Sequence, residues 1–157
     1  MFVCHGNICR SPMAEFIFKR MLTDSGMLCD FEVSSSATSD EEIFYGVGNP
    51  VYQPAKAELL RHGIDPRGKR AVKLRKSDYD KYDMFICMDD QNVRGANTIF
   101  GKDPNKKILK LMDIDGRGGD VSDPWYTDRF DIAYKDIFDG CAALYKKLVG
   151  KSIKNTF

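Results

Sequence analysis

A short run near the start of the chain, residues 3–12, constrains the fold more than any other segment. It reads Val-Cys-His-Gly-Asn-Ile-Cys-Arg-Ser-Pro, so a cysteine and an arginine stand six positions apart, with a glycine between them and Ser-Pro directly after. Residues 1–3 are apolar and short, which indicates the end of a buried strand, and Pro12 suits the first turn of a helix. The run therefore predicts a strand, a tight loop and a helix in immediate succession.

The same run has the composition of an anion-binding site. Backbone N–H groups of such a loop can form a nest for an anion, and the following helix adds a partial charge of about +0.5 at its N-terminus. Arg10 supplies a planar fork for two phosphate oxygens. Because helix N-termini and nearby cations favour the thiolate, we expect Cys4 to be an ionised nucleophile that accepts a hydrogen bond from Ser11. The alternative, a small buried apolar cysteine, leaves Arg10 and the glycine without a role.

The rest of the chain alternates strand-like and helix-like segments. Strands are predicted at 31–35, 82–88 and 107–111, and helices from residue 11, over 52–62, over 89–100 and from about residue 128. Loops are predicted over 36–50, over 113–123 and over 67–76, the last as a solvated basic connection. This alternation predicts parallel β-α-β units and a doubly wound sheet, in which ligands bind at the carboxyl ends of the strands.

Length and charge exclude several classes of protein. A chain of 157 residues suits one domain with a sizeable core, and we expect a single domain over residues 1–157. The net charge of +1 gives no overall field that would attract nucleic acid or an anionic membrane. No apolar run approaches the roughly 18 residues of a membrane span, and the chain begins directly with the motif, which leaves no room for a signal peptide.

The cysteines point to a reducing compartment. The chain has five, widely spaced and odd in number, which does not suggest a disulfide framework. No cysteine or histidine cluster has zinc spacing. We therefore expect a cytoplasmic protein that uses no metal and no cofactor.

Residues 3–15 closely resemble the signature of the low-molecular-weight protein tyrosine phosphatases. Three further segments resemble that family in the same order: Ser35-Ser36-Ala37-Thr38-Ser39, Cys87-Met88-Asp89 and Asp123-Pro124-Trp125-Tyr126. The resemblance implies an α/β, three-layer fold, with a four-stranded parallel sheet flanked by helices and a phosphate-binding loop after the first strand.

The resemblance also implies two-step hydrolysis of phosphotyrosine and small aryl phosphates. Cys4 would attack phosphorus and form a phosphocysteine while Arg10 and the loop N–H groups hold the equatorial oxygens. Asp123 would protonate the leaving phenolate and then activate water. An acid is needed because tyrosine, with a pKa of about 10, leaves poorly as an anion. From its own context, Asp123 could equally be a turn residue before a helix.

Further site residues follow from the resemblance. The phosphate-binding loop would contain His5, Gly6, Asn7, Ile8, Cys9 and Ser11. Asn7 would hold the loop in a left-handed turn, which asparagine tolerates well, and would bond to Ser35. Asp89 would help to fix the loop, although it could also simply cap a helix. The family often has a histidine at the position of Lys69, so that second support is open.

Aromatic residues are expected to form the walls of the substrate pocket. Trp125 and Tyr126 would flank a phenyl ring at the mouth, and Tyr45 is selected as the opposite wall. The candidates for that opposite wall, within residues 40–48, are Ile43, Phe44 and Tyr45. A deep slot would favour phosphotyrosine over the shorter phosphoserine.

Three other functions remain open. Protein-arginine phosphatases resemble this chain but carry threonine where Ile8 stands and lack paired aromatics after Asp-Pro. Thiol-dependent arsenate reductases use the same loop but need two further cysteines close together, and Cys87 has no such neighbour in the sequence. A non-hydrolytic phosphate-binding protein would lack the arginine and the acid. The expected partners are therefore phosphotyrosine proteins, with inorganic phosphate as product and inhibitor, and we expect a monomer.

Overall fold

The computed structural model describes residues 1–150. Its strands are β1 (Phe2–Cys4), β2 (Ser35–Ala37), β3 (Ile43–Phe44), β4 (Val47–Gly48), β5 (Phe85–Cys87) and β6 (Ile108–Lys110). Its α-helices are α1 (Arg10–Asp24), α2 (Gln53–Arg61), α3 (Asp90–Phe100), α4 (Leu111–Ile114), α5 (Pro124–Thr127) and α6 (Phe130–Val149).

The main sheet is parallel and has the order β2-β1-β5-β6. The chain runs from β1 to β2 on one side and later to β5 on the other, so a crevice opens beyond the carboxyl end of β1, where ligands bind in such sheets. Cys4 is the last residue of β1 and therefore lies at this crevice. The predicted α/β fold with a four-stranded parallel sheet between helices is confirmed.

The two faces of the sheet have separate apolar cores because successive strand residues point to opposite sides. Phe2, Cys4 and Ile86 face the larger core, which α1 and α6 cover. Val3 and Phe85 face a smaller core that includes residues of α3. Among residues 1–150, no helix is both long enough and apolar enough to cross a lipid bilayer.

The second strand lies further along the chain than predicted. Residues 28–30 form a short 3-10 helix, and pairing with β1 begins only where Ser35 stands opposite Phe2. The segment predicted as a loop over 36–50 contains the end of β2 and the antiparallel hairpin β3–β4. Tyr45 and Gly46, with φ of 51° and 78°, give that hairpin the two positive φ angles that its two-residue turn needs.

The segment 67–76 is not the solvated connection that its basic residues predicted. Ala71 and Leu74 are buried, and Ala37 exchanges backbone hydrogen bonds with Val72 and Leu74 beside the edge of the sheet. The lysines and arginines obscured this in the sequence, because the buried positions between them are few. The segment therefore forms part of the support for the site.

The region after β6 also differs from its prediction. The loop over 113–123 begins later, because α4 follows β6 directly, and α5 precedes the last helix. α6 begins at Phe130 and not near Asp128, whose φ of 56° ends α5. The apolar stripe of α6 is buried as far as Leu144, whereas Leu148 is exposed.

Candidate active site

The phosphate-binding loop, residues 4–11, joins β1 to α1. The Cys4 side chain is buried, and its Sγ lies 2.9 Å from Ser11 Oγ and accepts a hydrogen bond from the backbone N–H of Asn7 at 3.3 Å. Ser11 Oγ also accepts from Asn7 Nδ2 at 2.8 Å, which leaves its single proton for the sulfur. The local geometry thus directs two donors at the predicted nucleophile.

Asn7 fixes the conformation of the loop. It has the predicted left-handed backbone, with φ of 58°, and is 1% exposed. Its Nδ2 donates to Ser11 and, at 2.9 Å, to Ser35 Oγ, while its Oδ1 accepts from the backbone N–H of Val72 at 3.0 Å. One side chain therefore ties the loop to α1, to β2 and to the segment 67–76.

Ser35 is held in place by hydrogen bonds with two buried or partly buried charged residues, Glu15 and Lys69. Ser35 Oγ donates to Glu15 Oε2 at 2.5 Å, and Lys69 Nζ donates to the Ser35 carbonyl at 3.0 Å and lies 3.4 Å from Glu15 Oε2. Burial lowers the pKa of Lys69, and the Glu15 charge works against that shift. Lys69 thus supplies the second support at the position where relatives often have a histidine.

Glu15 was not among the predicted site residues. It follows Arg10 on the buried side of α1 and also accepts from Lys19 Nζ at 2.6 Å. A carboxylate on an otherwise apolar helix face, within the motif itself, was the available sequence signal.

Arg10 lies under the cavity with two carboxylates. Its Nη1 donates to Asp89 Oδ2 at 2.7 Å and to the Val121 carbonyl at 3.1 Å, and its Nη2 donates to Asp123 Oδ2 at 3.1 Å. Burial opposes the charged guanidinium, but the facing Cys4 and the two carboxylates outweigh it and raise the pKa of Arg10. Arg10 is therefore a permanent cation at the base of the site.

Asp89 caps α3, as one of its two interpretations predicted, and also contacts Arg10. Its Oδ1 accepts from the backbone N–H of Asn92 at 2.7 Å and caps α3, while its Oδ2 holds Arg10. It acts on the arginine, and the described contacts do not join it to the loop backbone.

Asp123 precedes α5 and caps it, with Oδ1 accepting from the backbone N–H of Trp125 at 3.1 Å. The turn interpretation of Asp123 is therefore correct as local structure. The same side chain also reaches the catalytic cavity, where its second oxygen meets Arg10. The Asp123 carboxylate thus caps α5 with one oxygen and contacts Arg10 in the catalytic cavity with the other.

A cavity of about 160 Å³, the catalytic cavity, brings these groups together. Its lining comes from the loop, from residues before β3 and from α5: Cys4, His5, Gly6, Asn7, Ile8, Cys9, Arg10, Glu41, Glu42, Asp123, Trp125 and Tyr126. Within residues 1–150, the backbone N–H groups of Gly6, Ile8 and Cys9 have no hydrogen-bond acceptor. They are available to an anion held against the sulfur.

The wall opposite the aromatic residues corrects the choice of Tyr45. Tyr45 is fully exposed at the tip of the hairpin and does not line the catalytic cavity. Its left-handed backbone in the turn directs the side chain away from the site. Glu41 and Glu42 form this wall, and Glu41 Oε2 lies 2.9 Å from His5 Nε2.

The other cysteines differ from Cys4 in surroundings. All five cysteines are free thiols. Burial, together with the neighbouring Cys4, raises the pKa of Cys9, and burial raises the pKa of Cys87 to about 12. Cys87 is fully buried in the smaller core, on the face of the sheet away from Cys4. Neither thiol is suited to act as a nucleophile.

Comparisons with known proteins identify the family of this chain. The family model described as "Low molecular weight phosphotyrosine protein phosphatase" matches residues 1–156. The low molecular weight protein-tyrosine-phosphatase YfkJ of Bacillus subtilis is 34% identical over 146 residues, which cover 92% of this chain and 91% of the relative. The human low molecular weight phosphotyrosine protein phosphatase is 31% identical and covers 94% of this chain and 93% of its own.

Solved structures share the fold. The crystal structure of YfkJ superposes with a TM-score of 0.86 at 32% identity and covers 95% of this chain and 92% of that chain. The YwlE arginine phosphatase from Bacillus subtilis, at 24% identity and a TM-score of 0.81, covers 94% and 93% and shows the shared fold alone. The resemblance found in the motifs is confirmed, and the chain belongs to the low molecular weight phosphotyrosine protein phosphatase family.

Proposed function

We propose that this protein hydrolyses phosphotyrosine in proteins, as well as small aryl phosphates, through a phosphocysteine on Cys4. The observation that carries the proposal is the convergence of Cys4, Arg10, Asp123 and unpaired loop N–H groups on one cavity of about 160 Å³. A nucleophile, an anion clamp and an acid are the three groups that this reaction needs.

In the first step, the Cys4 thiolate forms a bond to phosphorus and the bond from phosphorus to the phenolic oxygen breaks. The loop N–H groups and Arg10 stabilise the negative charge on the three equatorial oxygens. Asp123, in its protonated form, gives its proton to the departing oxygen, so that tyrosine leaves as the neutral phenol.

In the second step, water attacks the phosphocysteine. Asp123, now a carboxylate, takes a proton from that water, and the sulfur leaves as the thiolate. The cycle ends with inorganic phosphate, which fits the same cradle and would therefore inhibit as a product. No redox partner or cofactor enters either step.

The rim of the cavity supports a preference for phosphotyrosine. Trp125 and Tyr126 present exposed rings at the mouth, where a substrate phenyl ring can stack. Ile8 adds an apolar surface beneath them. A phosphoserine side chain is too short to gain these contacts while its phosphate reaches Cys4.

Protein-arginine phosphatase activity is the second candidate, and one observation favours it. Glu41 and Glu42 line the cavity, and carboxylates can bind a substrate guanidinium. Both already have partners, however, since Glu41 meets His5 and Glu42 accepts from Asn49 Nδ2 at 2.7 Å. Stacking on the aromatic residues needs no such exchange of partners, so phosphotyrosine is the better fit.

Parallel kinetics on three substrates test the proposal. We expect kcat/KM for a phosphotyrosine peptide to exceed that for a matched phosphoarginine peptide by at least about tenfold. We expect no arsenate reduction with a thiol present, because Cys87 is buried on the other face of the sheet. Faster hydrolysis of phosphoarginine would select the second candidate, and arsenate turnover would overturn both.

The setting of the enzyme is part of the same proposal. We propose a cytoplasmic enzyme, because a reducing compartment keeps the catalytic thiol reduced. We also propose that it is a monomer, and its net charge of +1 favours neither nucleic acid nor an anionic membrane as a partner. Light scattering coupled to gel filtration measures the oligomeric state, and competition by inorganic phosphate measures the product inhibition.

A further inference from the structure

A second and larger cavity adjoins the catalytic one. We call it the flank cavity; its volume is about 460 Å³, and it is lined by Ile8, Glu42, Asn49, Pro50, Val51, Tyr52, Gln53, Lys56, Pro66, Arg67, Gly68, Lys69 and Trp125. Ile8, Glu42 and Trp125 line both cavities. The flank cavity is therefore within reach of the residues next to a phosphotyrosine that enters the catalytic cavity.

The floor of the flank cavity is fixed to the phosphate-binding loop. The backbone N–H of Tyr52 donates to the Ile8 carbonyl at 2.9 Å. The Tyr52 ring lies 5.0 Å from the Trp125 ring and 6.0 Å from the Phe130 ring, measured between centroids. The two cavities are thus parts of one packed unit, and their separation is set by the fold.

The lining is mostly apolar and neutral, but cations outnumber anions among its charged residues: Lys56, Arg67 and Lys69 against a single carboxylate, Glu42. Lys69 is engaged with Glu15 and Ser35, and Arg67 forms two hydrogen bonds with Asp65 Oδ2, the shorter at 2.7 Å.

Lys56 is different from the other two cations. Within residues 1–150, its ammonium group has no hydrogen bond and no ion pair with a carboxylate. It stands on the first turn of α2, half-buried at the cavity wall. Hydrogen bonding to Arg67 lowers the pKa of Asp65 and the charge of Lys56 contributes to that shift, but Lys56 makes no direct contact with the Asp65 carboxylate. A ligand in the flank cavity can therefore engage Lys56 without breaking an ion pair.

We propose that the flank cavity binds an acidic side chain of the substrate, a glutamate or aspartate near the phosphotyrosine, with its carboxylate on Lys56. This inference rests on the proposed phosphotyrosine activity and adds a sequence preference to it. An extended peptide advances about 3.3 Å per residue, so the acidic residue lies within about three positions of the phosphotyrosine. Charge complementarity selects a carboxylate over a basic or neutral side chain.

A peptide panel tests the preference. Each peptide carries one phosphotyrosine in an alanine background, with a single glutamate at one position between three before and three after it. The measured quantity is the ratio of kcat/KM for each peptide to that of the all-alanine peptide, which is independent of the folded fraction of a variant. We expect one position to give a gain of about fivefold, the size of an accessible ion pair, that shrinks in high salt.

Charge reversal identifies the residue responsible. In Lys56→Glu the gain should disappear, and lysine at the same peptide position should become preferred. Lys146→Glu makes the same change of charge on an exposed residue near the far end of α6 and should leave the glutamate preference intact.

The outcomes separate the two proposals. Equal rates for all peptides, or a glutamate preference that survives Lys56→Glu, would overturn the flank cavity as an acidic subsite while leaving phosphotyrosine hydrolysis in place. If the same panel with phosphoserine in place of glutamate shows a gain while the glutamate panel shows none, the ligand of the flank cavity is a second phosphate and the proposal is overturned. Failure to hydrolyse any phosphotyrosine peptide would overturn the proposed function and this inference together.

Discussion

The side chains of the phosphate-binding loop are buried apart from His5, whereas those of Trp125 and Tyr126 at the mouth of the catalytic cavity are exposed. Asn7 and Arg10 are 1% and 3% exposed, and Trp125 and Tyr126 are 55% and 85% exposed. The loop is held by hydrogen bonds from α1, β2 and the segment 67–76, while the rim is carried by a four-residue helix and by residues beside two-residue strands. Because the phosphate-binding loop is held by buried hydrogen bonds and the residues at the mouth are not, substitutions at the mouth can change substrate preference without altering the loop.

The difference has an energetic origin. Stabilising an anionic transition state requires donors that are already oriented, because reorienting them during the reaction would raise the barrier. Recognition of a substrate chain gains most from apolar and charged surface that solvent reaches before binding. The five predictions below test whether the loop determines the rate of the chemical step and the residues at the mouth determine substrate binding.

The largest loss is expected from Cys4→Ser. A serine hydroxyl lacks the ionised sulfur, so turnover should fall by about 10⁴-fold or more, while phosphate still binds to the loop. Steady-state kinetics and calorimetric titration with phosphate measure the two effects. Cys29→Ser, at an exposed thiol, is the control and should keep full activity. Substantial turnover in Cys4→Ser would remove Cys4 as the nucleophile.

Arg10→Lys should reduce kcat by about 10³-fold, since a point charge cannot replace a planar fork that binds two oxygens. It also removes contacts to Asp89 and Asp123. Arg129→Lys, on the surface beside Asp131, provides a control for the substitution itself. A loss of less than tenfold would show that the loop N–H groups hold the phosphate without the guanidinium.

Asp123→Asn should slow hydrolysis of phosphotyrosine by about 10²-fold or more, because the amide cannot protonate the phenolate. An activated aryl phosphate, whose leaving group needs no proton, should lose much less. Asp128→Asn, an exposed position that asparagine tolerates at φ of 56°, is the matched control. Equal losses on the two substrates would exclude Asp123 as the acid.

Replacing Asn7 tests the base of the site through stability. Asn7→Gly keeps the left-handed backbone but loses three buried hydrogen bonds, which should lower the free energy of unfolding by about 2–3 kcal/mol. Asn7→Ala adds backbone strain of roughly 1 kcal/mol. Denaturant unfolding measures both. Lys106→Gly, at an exposed residue with φ of 51°, should not destabilise the protein. If Asn7→Gly proves equally harmless, the hydrogen bonds contribute little.

The smallest effect is expected at the rim. Trp125→Ala should raise KM for a phosphotyrosine peptide by about fivefold through lost stacking, with the free energy of unfolding little changed. Tyr45→Ala should leave KM unchanged, because Tyr45 lies outside the cavity lining. A larger effect from Tyr45 than from Trp125 would restore the hairpin tip as the substrate wall.

The base of the site was largely predictable because its residues are contiguous. Cys4 and Arg10 follow from one short run whose strand, loop and helix order is set by local preferences, whereas the left-handed backbone of Asn7 was implied by the family resemblance. Glu15 and Lys69 were missed or left open because their roles depend on Ser35, which lies on another strand. Contacts between residues so far apart in the sequence cannot be predicted before the pairing of the strands is known.

The rim was less predictable because the direction of a side chain depends on turn geometry. Tyr45 was selected for its aromatic ring, but its positive φ in the hairpin turns it outward, and Glu41 and Glu42 take its place. The basic segment 67–76 was assigned to solvent because only two of its residues, Ala71 and Leu74, are buried, and they lie among several lysines and arginines. In both cases tertiary contacts override the local pattern.

The ion pairs of Arg10 have a consequence for anion selectivity. Since Asp89 and Asp123 are tethered against its guanidinium, they act as intramolecular competitors at high effective concentration. A weakly held monoanion such as chloride must displace them with one charge and few hydrogen bonds. A phosphate dianion brings two charges and enough oxygens to satisfy the loop N–H groups as well. We expect the same displacement to detach Asp123 from Arg10 and so to free its carboxyl for the acid role proposed above.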